Sequence, residues 1–306
     1  MQINRREFLR KSGAAAGLLL AANFPFEAFA NGEVKKLTIL HTNDQHSHIE
    51  PFPMDGGRFQ GLGGFANRAT AIKKIRSEEK NVLLFDSGDI WQGTPYFNMF
   101  NGSLEFKLMS EMGYDASTFG NHDFDNGIDA INKYMPLANF PFICSNYDFK
   151  NTVLNGKTLP YKIFKVDGIK VGVFGLGIEL NGLVLKSLYG ETVYQDPISV
   201  ANKMASLLRN DLKCDLVVCL SHLGYKYKED KVSDLTLAYN TKNIDLILGG
   251  HTHTLMAKPD EVKNAAGEKV LVNQVGWAGV ALGRVDYFFE KKKRGVSIAN
   301  APIKIG

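Results

Sequence analysis

Five short apolar runs in this chain each stop at a loop that carries Asp, Asn or His. Lys36-Leu37-Thr38-Ile39-Leu40-His41-Thr42 runs into Asn43-Asp44-Gln45-His46-Ser47-His48. Asn81-Val82-Leu83-Leu84-Phe85 ends in Asp86-Ser87-Gly88-Asp89, and residues 116–119 end in Gly120-Asn121-His122-Asp123-Phe124-Asp125. Leu216-Val217-Val218-Cys219-Leu220 ends in Ser221-His222, and Asp245-Leu246-Ile247-Leu248 ends in Gly249-Gly250-His251-Thr252-His253. Short apolar runs bounded by Gly and Asp read as strands. In open sheets, sites assemble on loops at the carboxyl ends of strands. If these strands share direction and edge, the loops converge and bring together His46, His122, His222, His251 and His253, five of the seven histidines.

The intervening segments complete the architecture. Leu62, Phe65, Ala66, Ala69, Ile72 and Ile75 fall at helical spacing, which predicts an amphipathic helix over 62–79. Further helices are expected near 104–112, 127–135, 197–210 and 230–239. Further strands are expected at 142–145, 162–166, 169–176, 269–275 and 280–289. Asp167-Gly168 between two of these strands is a two-residue hairpin signal. Strands alternate with helices early and form hairpins late. The expected fold class is therefore α/β (α+β), a sandwich of two mixed β-sheets flanked by helices.

Composition narrows the partners. At +4 over 306 residues, with charge scattered, the chain is no nucleic-acid binder, and Lys291-Lys292-Lys293-Arg294 reads as a solvated turn. Cys144, Cys214 and Cys219 make no disulfide framework and read as small buried hydrophobes, a Cys144–Cys214 bridge being the minor alternative. Residues 1–30 resemble a twin-arginine signal peptide. Arg5-Arg6 precede an apolar stretch at 13–22 and the cleavage pattern Ala28-Phe29-Ala30. The stretch is too short to span a bilayer, so the expectation is an exported, periplasmic domain of residues 31–306 without a stable membrane anchor.

Taken singly, each loop has a plainer reading. Asp44-Gln45-His46 could be a turn, Asp89 a helix cap, and His222 a satisfied core histidine. His251 and His253, two apart after Gly249-Gly250, can face one metal ion or two adjacent ones. Jointly, the mixed nitrogen and oxygen donors outnumber the four that one zinc needs. They suit two ions roughly 3.5–4 Å apart.

Asp44-x-His46, Gly88-Asp89, Gly120-Asn121-His122-Asp123, His222 and Gly250-His251-x-His253 resemble, in order and spacing, the motifs of the calcineurin-like metallophosphoesterases. Leu40-His41-Thr42-Asn43-Asp44, Gly88-Asp89-Ile90-Trp91-Gln92-Gly93-Thr94-Pro95 and Gly120-Asn121-His122-Asp123-Phe124-Asp125 bring the resemblance close to the 5'-nucleotidase branch. It covers about residues 37–289 and corresponds to that branch's metal-binding N-terminal domain. The resemblance implies that Asp44, His46 and His253 hold one divalent metal and Asn121, His222 and His251 a second, with Asp89 bridging. It implies that His122 is a catalytic acid rather than a ligand, with Asp125 as its orienting partner, and that Asn121 and His122 meet the substrate. The metals would be Mn, Zn, Co or Fe.

The implied activity is hydrolysis of phosphoric esters by a metal-activated water, as a 5'-nucleotidase-like phosphomonoesterase. Two alternatives stay open. One is a phosphodiesterase acting on cyclic nucleotides or nucleotide sugars. The other is a catalytic subunit that needs a separate nucleotide-binding chain, because the branch's second domain is not in this sequence; Phe52, Phe59 or Trp91 would be the exposed aromatic at that contact. His41 and His48 are expected to be structural or supporting, and Gln92 and Thr94 to line the rim. Asp123 is left without a role.

Overall fold

The structure is a computed structural model that describes residues 34–290 and 296–306. The expected signal segment and Lys291-Lys292-Lys293-Arg294 lie outside the described residues.

Two six-stranded mixed sheets form the centre. In the first, β1 (Val34–Thr42), β2 (Val82–Asp86) and β3 (Ala116–Ser117) are parallel, and β12 (Ala281–Glu290) runs antiparallel beside β1. β13 (Val296–Ala299) and β14 (Ile303–Lys304) pair with β12. In the second sheet, β6 (Ile169–Gly177), β8 (Leu216–His222), β9 (Leu246–Leu248) and β11 (Lys269–Asn273) are parallel. β5 (Tyr161–Val166) and β10 (Asp260–Lys263) close its two edges antiparallel. β4 (Tyr147–Asp148) and β7 (Val193–Tyr194) form a separate short ladder.

The strands read as unbroken apolar runs because both faces of each sheet are covered. Leu37, Ile39, Leu83 and Phe85 of one sheet meet Val171, Val218, Leu220, Leu246 and Leu248 of the other in the layer between them. The alternate residues face outward. Leu40 and Leu84 pack under α1 (Phe65–Glu78), α3 (Ser103–Met112) and α4 (Gly127–Tyr134). Val217, Cys219 and Ile247 pack under α6 (Pro197–Ser206) and α7 (Asp234–Asn240). Full burial of each such side chain stabilises the fold by roughly 1.5–3 kcal/mol. The result is the expected sandwich flanked by helices.

Several elements differ from expectation. Residues 142–145 form no strand; Phe142 and Ile143 make single bridges to Ser117 and Leu159. Beyond Ser206 the helix loosens into a π turn, Leu207–Asp211. The short helices α2 (Pro95–Phe100) and α5 (Lys186–Tyr189) and the charged edge strand β10 are too short to show a period. The hairpin at Asp167-Gly168 is present, with φ values of 51° and 83°, as a two-residue turn of its type requires. All three cysteines are free and buried, so no bridge joins them. Among the described residues, no helix is long and apolar enough to cross a membrane.

Candidate metal centre

Because β1, β2 and β3 are parallel in one sheet and β8 and β9 in the other, their carboxyl ends can meet at one edge of the sandwich. Contacts across the sheets place them there. Ser87 Oγ donates to the Leu248 carbonyl at 2.7 Å, and the His251 amide donates to both Asp44 carboxylate oxygens at 3.0 Å. His222 Nδ1 lies 2.7 Å from the Ser87 carbonyl. The His122 amide donates to Asp89 Oδ1 at 2.8 Å and brings in the loop after β3, so all five strand-end loops converge.

The donors gather in two groups, Asp44 with His46 and His253, and Asp89 with His222 and His251. In the first, His46 Nε2 lies 3.0 Å from His253 Nε2, which lies 3.3 Å from Asp44 Oδ1. In the second, His222 Nε2 lies 3.0 Å from Asp89 Oδ2, and His251 Nδ1 is 2.8 Å from Asn121 Oδ1. Asp89 Oδ2 is also 3.8 Å from His46 Nε2, so its carboxylate stands between the groups.

These residues fit a pair of divalent cations. Donors each about 2.1 Å from one cation sit roughly 3 Å apart, which is the spacing found. His46 and His222 each turn Nδ1 to a backbone carbonyl, of Trp91 at 3.3 Å and of Ser87, which leaves Nε2 as the lone pair facing inward. His222 Nε2 is buried and has no hydrogen-bond partner among the described residues, although it abuts a carboxylate. Burial opposes charge on His222, yet the Asp89 and Asp44 carboxylates lift its pKa to about 10, so the position demands a positive charge. Burial holds the His46 imidazole below its ordinary pKa. Burial and the His222 charge hold His251 down at about 4. Neutral imidazole is the form that binds metal.

The backbone is strained at these positions. Asp44, His46, Asp89, His251 and His253 all take positive φ, between 48° and 75°. Each such residue costs about 1–2 kcal/mol. Glycine permits the close approach of two loops. A Cβ on Gly120 would stand 2.1 Å from Asp89 Oδ1, and one on Gly88 would stand 2.4 Å from the Gly120 nitrogen.

His122 lies beside the two groups, its ring centroid 5.3 Å from that of His46. Its amide donates to Asp89 Oδ1 at 2.8 Å, and its Nδ1 is 2.7 Å from Asp125 Oδ2. The hydrogen bond to Asp125 raises the His122 pKa; burial opposes this and the Asp89 charge reinforces it. With Nδ1 engaged, Nε2 is the nitrogen available to a ligand. Removing the Asp125 charge lowers the pKa of His122. In Asp125→Asn the alkaline limb of a plot of log(kcat/KM) against pH is therefore expected to move to lower pH. An unmoved limb would detach Asp125 from His122.

Some residues play parts that sequence reasoning did not assign. Asn43 donates to Asp44 Oδ2 at 2.6 Å and to the Gly276 carbonyl at 2.7 Å, and so orients that carboxylate. Gln274 donates to the Gly250 carbonyl at 2.7 Å and to Asp234 at 2.9 Å, and accepts from the Thr254 amide at 3.2 Å. It thereby straps down the loop bearing His251 and His253. The Trp277 ring stacks on His253, centroids 5.6 Å apart and 4° from parallel. Gln274 and Trp277 lie past β11, which is parallel to β9, so this is a sixth strand end at the same edge. Extending that strand to 275 and seeking only His and Asp hid it.

Other expectations resolve directly. Trp91 is not an exposed aromatic. It is fully buried, stacked on Phe106, because the loop after β2 folds its indole under α3. Phe52 and Phe59 are half-buried against Val275 and Val280. His41 is buried beside the Asn273 amide, and His48 stacks on Phe52. Thr94 donates to the Ser47 carbonyl at 2.6 Å and ties two loops together; Gln92 is partly exposed beside it.

A sandwich of two mixed sheets with metal-binding carboxylates and imidazoles on converging strand ends defines a metal-dependent hydrolase. Residues 37–255 match the calcineurin-like phosphoesterase family, and the chain belongs to it. It is 34% identical over 288 residues to the trifunctional nucleotide phosphoesterase YfkN of Bacillus subtilis, a match covering 84% of this chain and 18% of that protein. It is 33% identical to a snake venom 5'-nucleotidase of Gloydius brevicauda, covering 88% of this chain and 48% of the relative. Among solved structures, a 5'-nucleotidase precursor from Thermus thermophilus superposes with a TM-score of 0.79 at 31% identity, over 89% of this chain and 55% of that one. The NAD nucleotidase of Haemophilus influenzae superposes with a TM-score of 0.77 at 29% identity, over 88% and 55%. The chain spans about half the length of the 5'-nucleotidases it matches.

Proposed function

We propose that this chain is a 5'-nucleotidase-like phosphomonoesterase working with two divalent metals, exported by the twin-arginine route. The observation that carries the reading is the pair of interlocked donor groups with Asp89 between them and the His122–Asp125 pair alongside. The nucleotidases among its relatives support the substrate class.

Asp44, His46 and His253 would hold one cation, and Asn121, His222 and His251 the other, with Asp89 shared. When bound, the cations supply Lewis acidity, offsetting the negative charge of the ester oxygens and making a water more acidic. The remaining work falls to the chain. His122, its Nδ1 held by Asp125, keeps a proton on Nε2 and delivers it to the departing ester oxygen. The Asn121 amide positions a phosphoryl oxygen. Gln274 and Asn43 hold the loops so that no reorganisation is needed during the reaction.

A second reading, a phosphodiesterase on nucleotide esters, is favoured by the breadth of the named relatives, a trifunctional phosphoesterase and a nucleotidase of NAD. The test is the mature chain with Mn²⁺, Co²⁺, Zn²⁺ or Mg²⁺ against AMP, p-nitrophenyl phosphate, bis-p-nitrophenyl phosphate and NAD, with product analysis. Metal-dependent release of phosphate from AMP is expected; no turnover of any ester would sink both readings. Gel filtration of the same sample addresses a separate nucleotide-binding chain, since a monomer with full nucleotidase activity needs none. Export is checked by replacing Arg5 and Arg6 with lysine, after which the protein should stay in the cytoplasm; unchanged export would rule out the twin-arginine route.

A further inference from the structure

The structure assigns Asp123 a positioning role: it holds the bridging carboxylate Asp89 and the acid His122 in register by clasping the two loops that carry them. This rests on the metal-dependent reading above. Asp123 is 1% exposed and stands in the same six-residue stretch as His122. Its carboxylate meets four backbone N–H groups. Oδ2 accepts from Asp89 at 3.0 Å and Gly120 at 2.8 Å, and Oδ1 accepts from Ile90 at 2.9 Å and Trp91 at 3.3 Å.

The left-handed backbone at Gly88 and Asp89 explains the geometry. Their φ values of 88° and 55° turn successive amides toward one point, making a concave anion site in which the Asp123 carboxylate sits. The loop after β3 thus holds the loop after β2. The second loop answers in kind, because Asp89 Oδ1 accepts the His122 amide at 2.8 Å. Each loop's carboxylate takes the other's N–H. With Oδ1 so engaged, Asp89 presents Oδ2 to His222 Nε2.

Only a carboxylate can complete this clasp. Asparagine offers one acceptor oxygen, and its amide group would set N–H against N–H at the other two donors. Released, Asp89 can relax from its strained φ, and the bridge and the acid lose their fixed separation. Ligand-orienting groups of this kind typically affect metal affinity or activity by about 10–100-fold.

The test uses the mature chain stripped with EDTA. Asp123→Asn and Asp123→Glu are compared with wild type and with Leu237→Ala, a core truncation under α7 that serves as a control for stability alone. Three quantities are read: Mn²⁺ affinity by calorimetry, melting temperature of the metal-free protein, and kcat and KM on p-nitrophenyl phosphate. Asp123→Asn is expected to bind Mn²⁺ about 10–100-fold more weakly and to lower kcat by a similar factor, with KM changed far less. Asp123→Glu, which keeps the charge and moves it by one methylene, is expected to recover part of both. Leu237→Ala is expected to melt lower with unchanged Mn²⁺ affinity. Wild-type affinity in Asp123→Asn, or an equal loss in Leu237→Ala, would overturn the assignment. So would failure of both Asp123 variants to fold, since the role would then be inseparable from stability. A wild-type chain that binds no Mn²⁺ would instead overturn the metal-dependent reading on which this rests.

Discussion

Replacing His122 with alanine is expected to leave metal content at the wild-type value and to lower kcat about 10²–10⁴-fold, the usual contribution of one positioned acid. The reason is the division of labour in its loop. His122 donates its amide to Asp89 through the backbone, which alanine retains, while its ring pairs with Asp125 and belongs to neither donor group. The measurement is metal analysis and AMP hydrolysis on one preparation. Loss of metal in His122→Ala would mean that the imidazole is a ligand and that its role has been misread. The deficit is also expected to shrink for esters with good leaving groups, such as p-nitrophenyl phosphate, because these need less help to depart.

Replacing His222 with alanine is expected to act in the opposite order, metal first. His222 is completely buried at the end of β8, and it links the sheets through the Ser87 carbonyl. Of the two histidines in the second group it is the more deeply buried, because His251 is partly exposed. Without the imidazole, Asp89 keeps its charge in a buried place with its counterpart gone, a loss of about 3–5 kcal/mol when one member of a buried pair is removed. Metal bound per chain is expected to fall, turnover of AMP to drop by more than about 100-fold, beyond the usual effect of an outer partner, and the metal-free protein to melt earlier. Retention of full metal content would show that Asp89, Asn121 and His251 suffice without it.

Much of the site is legible in the sequence because its chemistry is concentrated at strand ends. A run such as Leu216-Val217-Val218-Cys219-Leu220 reads as a strand, its outlet at Ser221-His222 carries function or a turn, and histidine is too rare to recur at such outlets by chance. What sequence reading missed shares one property: it acts through the backbone. Asp123 and Gln274 bind amides and carbonyls of loops whose left-handed conformation cannot be seen in residue types. Trp277 lies where β11 proves parallel to β9, a fact of topology rather than composition. Trp91 reads as a surface aromatic in a polar motif, yet the same motif folds it beneath α3. The inverse error at residues 142–145 has the same origin. An apolar run there is buried, but only single bridges reach it, so burial alone makes no strand.

The central claim is that two divalent metals, held by Asp44, His46, His253, Asn121, His222, His251 and Asp89, are required for ester hydrolysis. The most direct test is one preparation of residues 31–306, measured for bound metal and for AMP hydrolysis as purified, after EDTA stripping, and through stepwise return of Mn²⁺. The account predicts that activity vanishes on stripping, returns with added metal and saturates at two ions per chain. Hydrolysis that survives complete stripping, or that saturates at one ion, would contradict it.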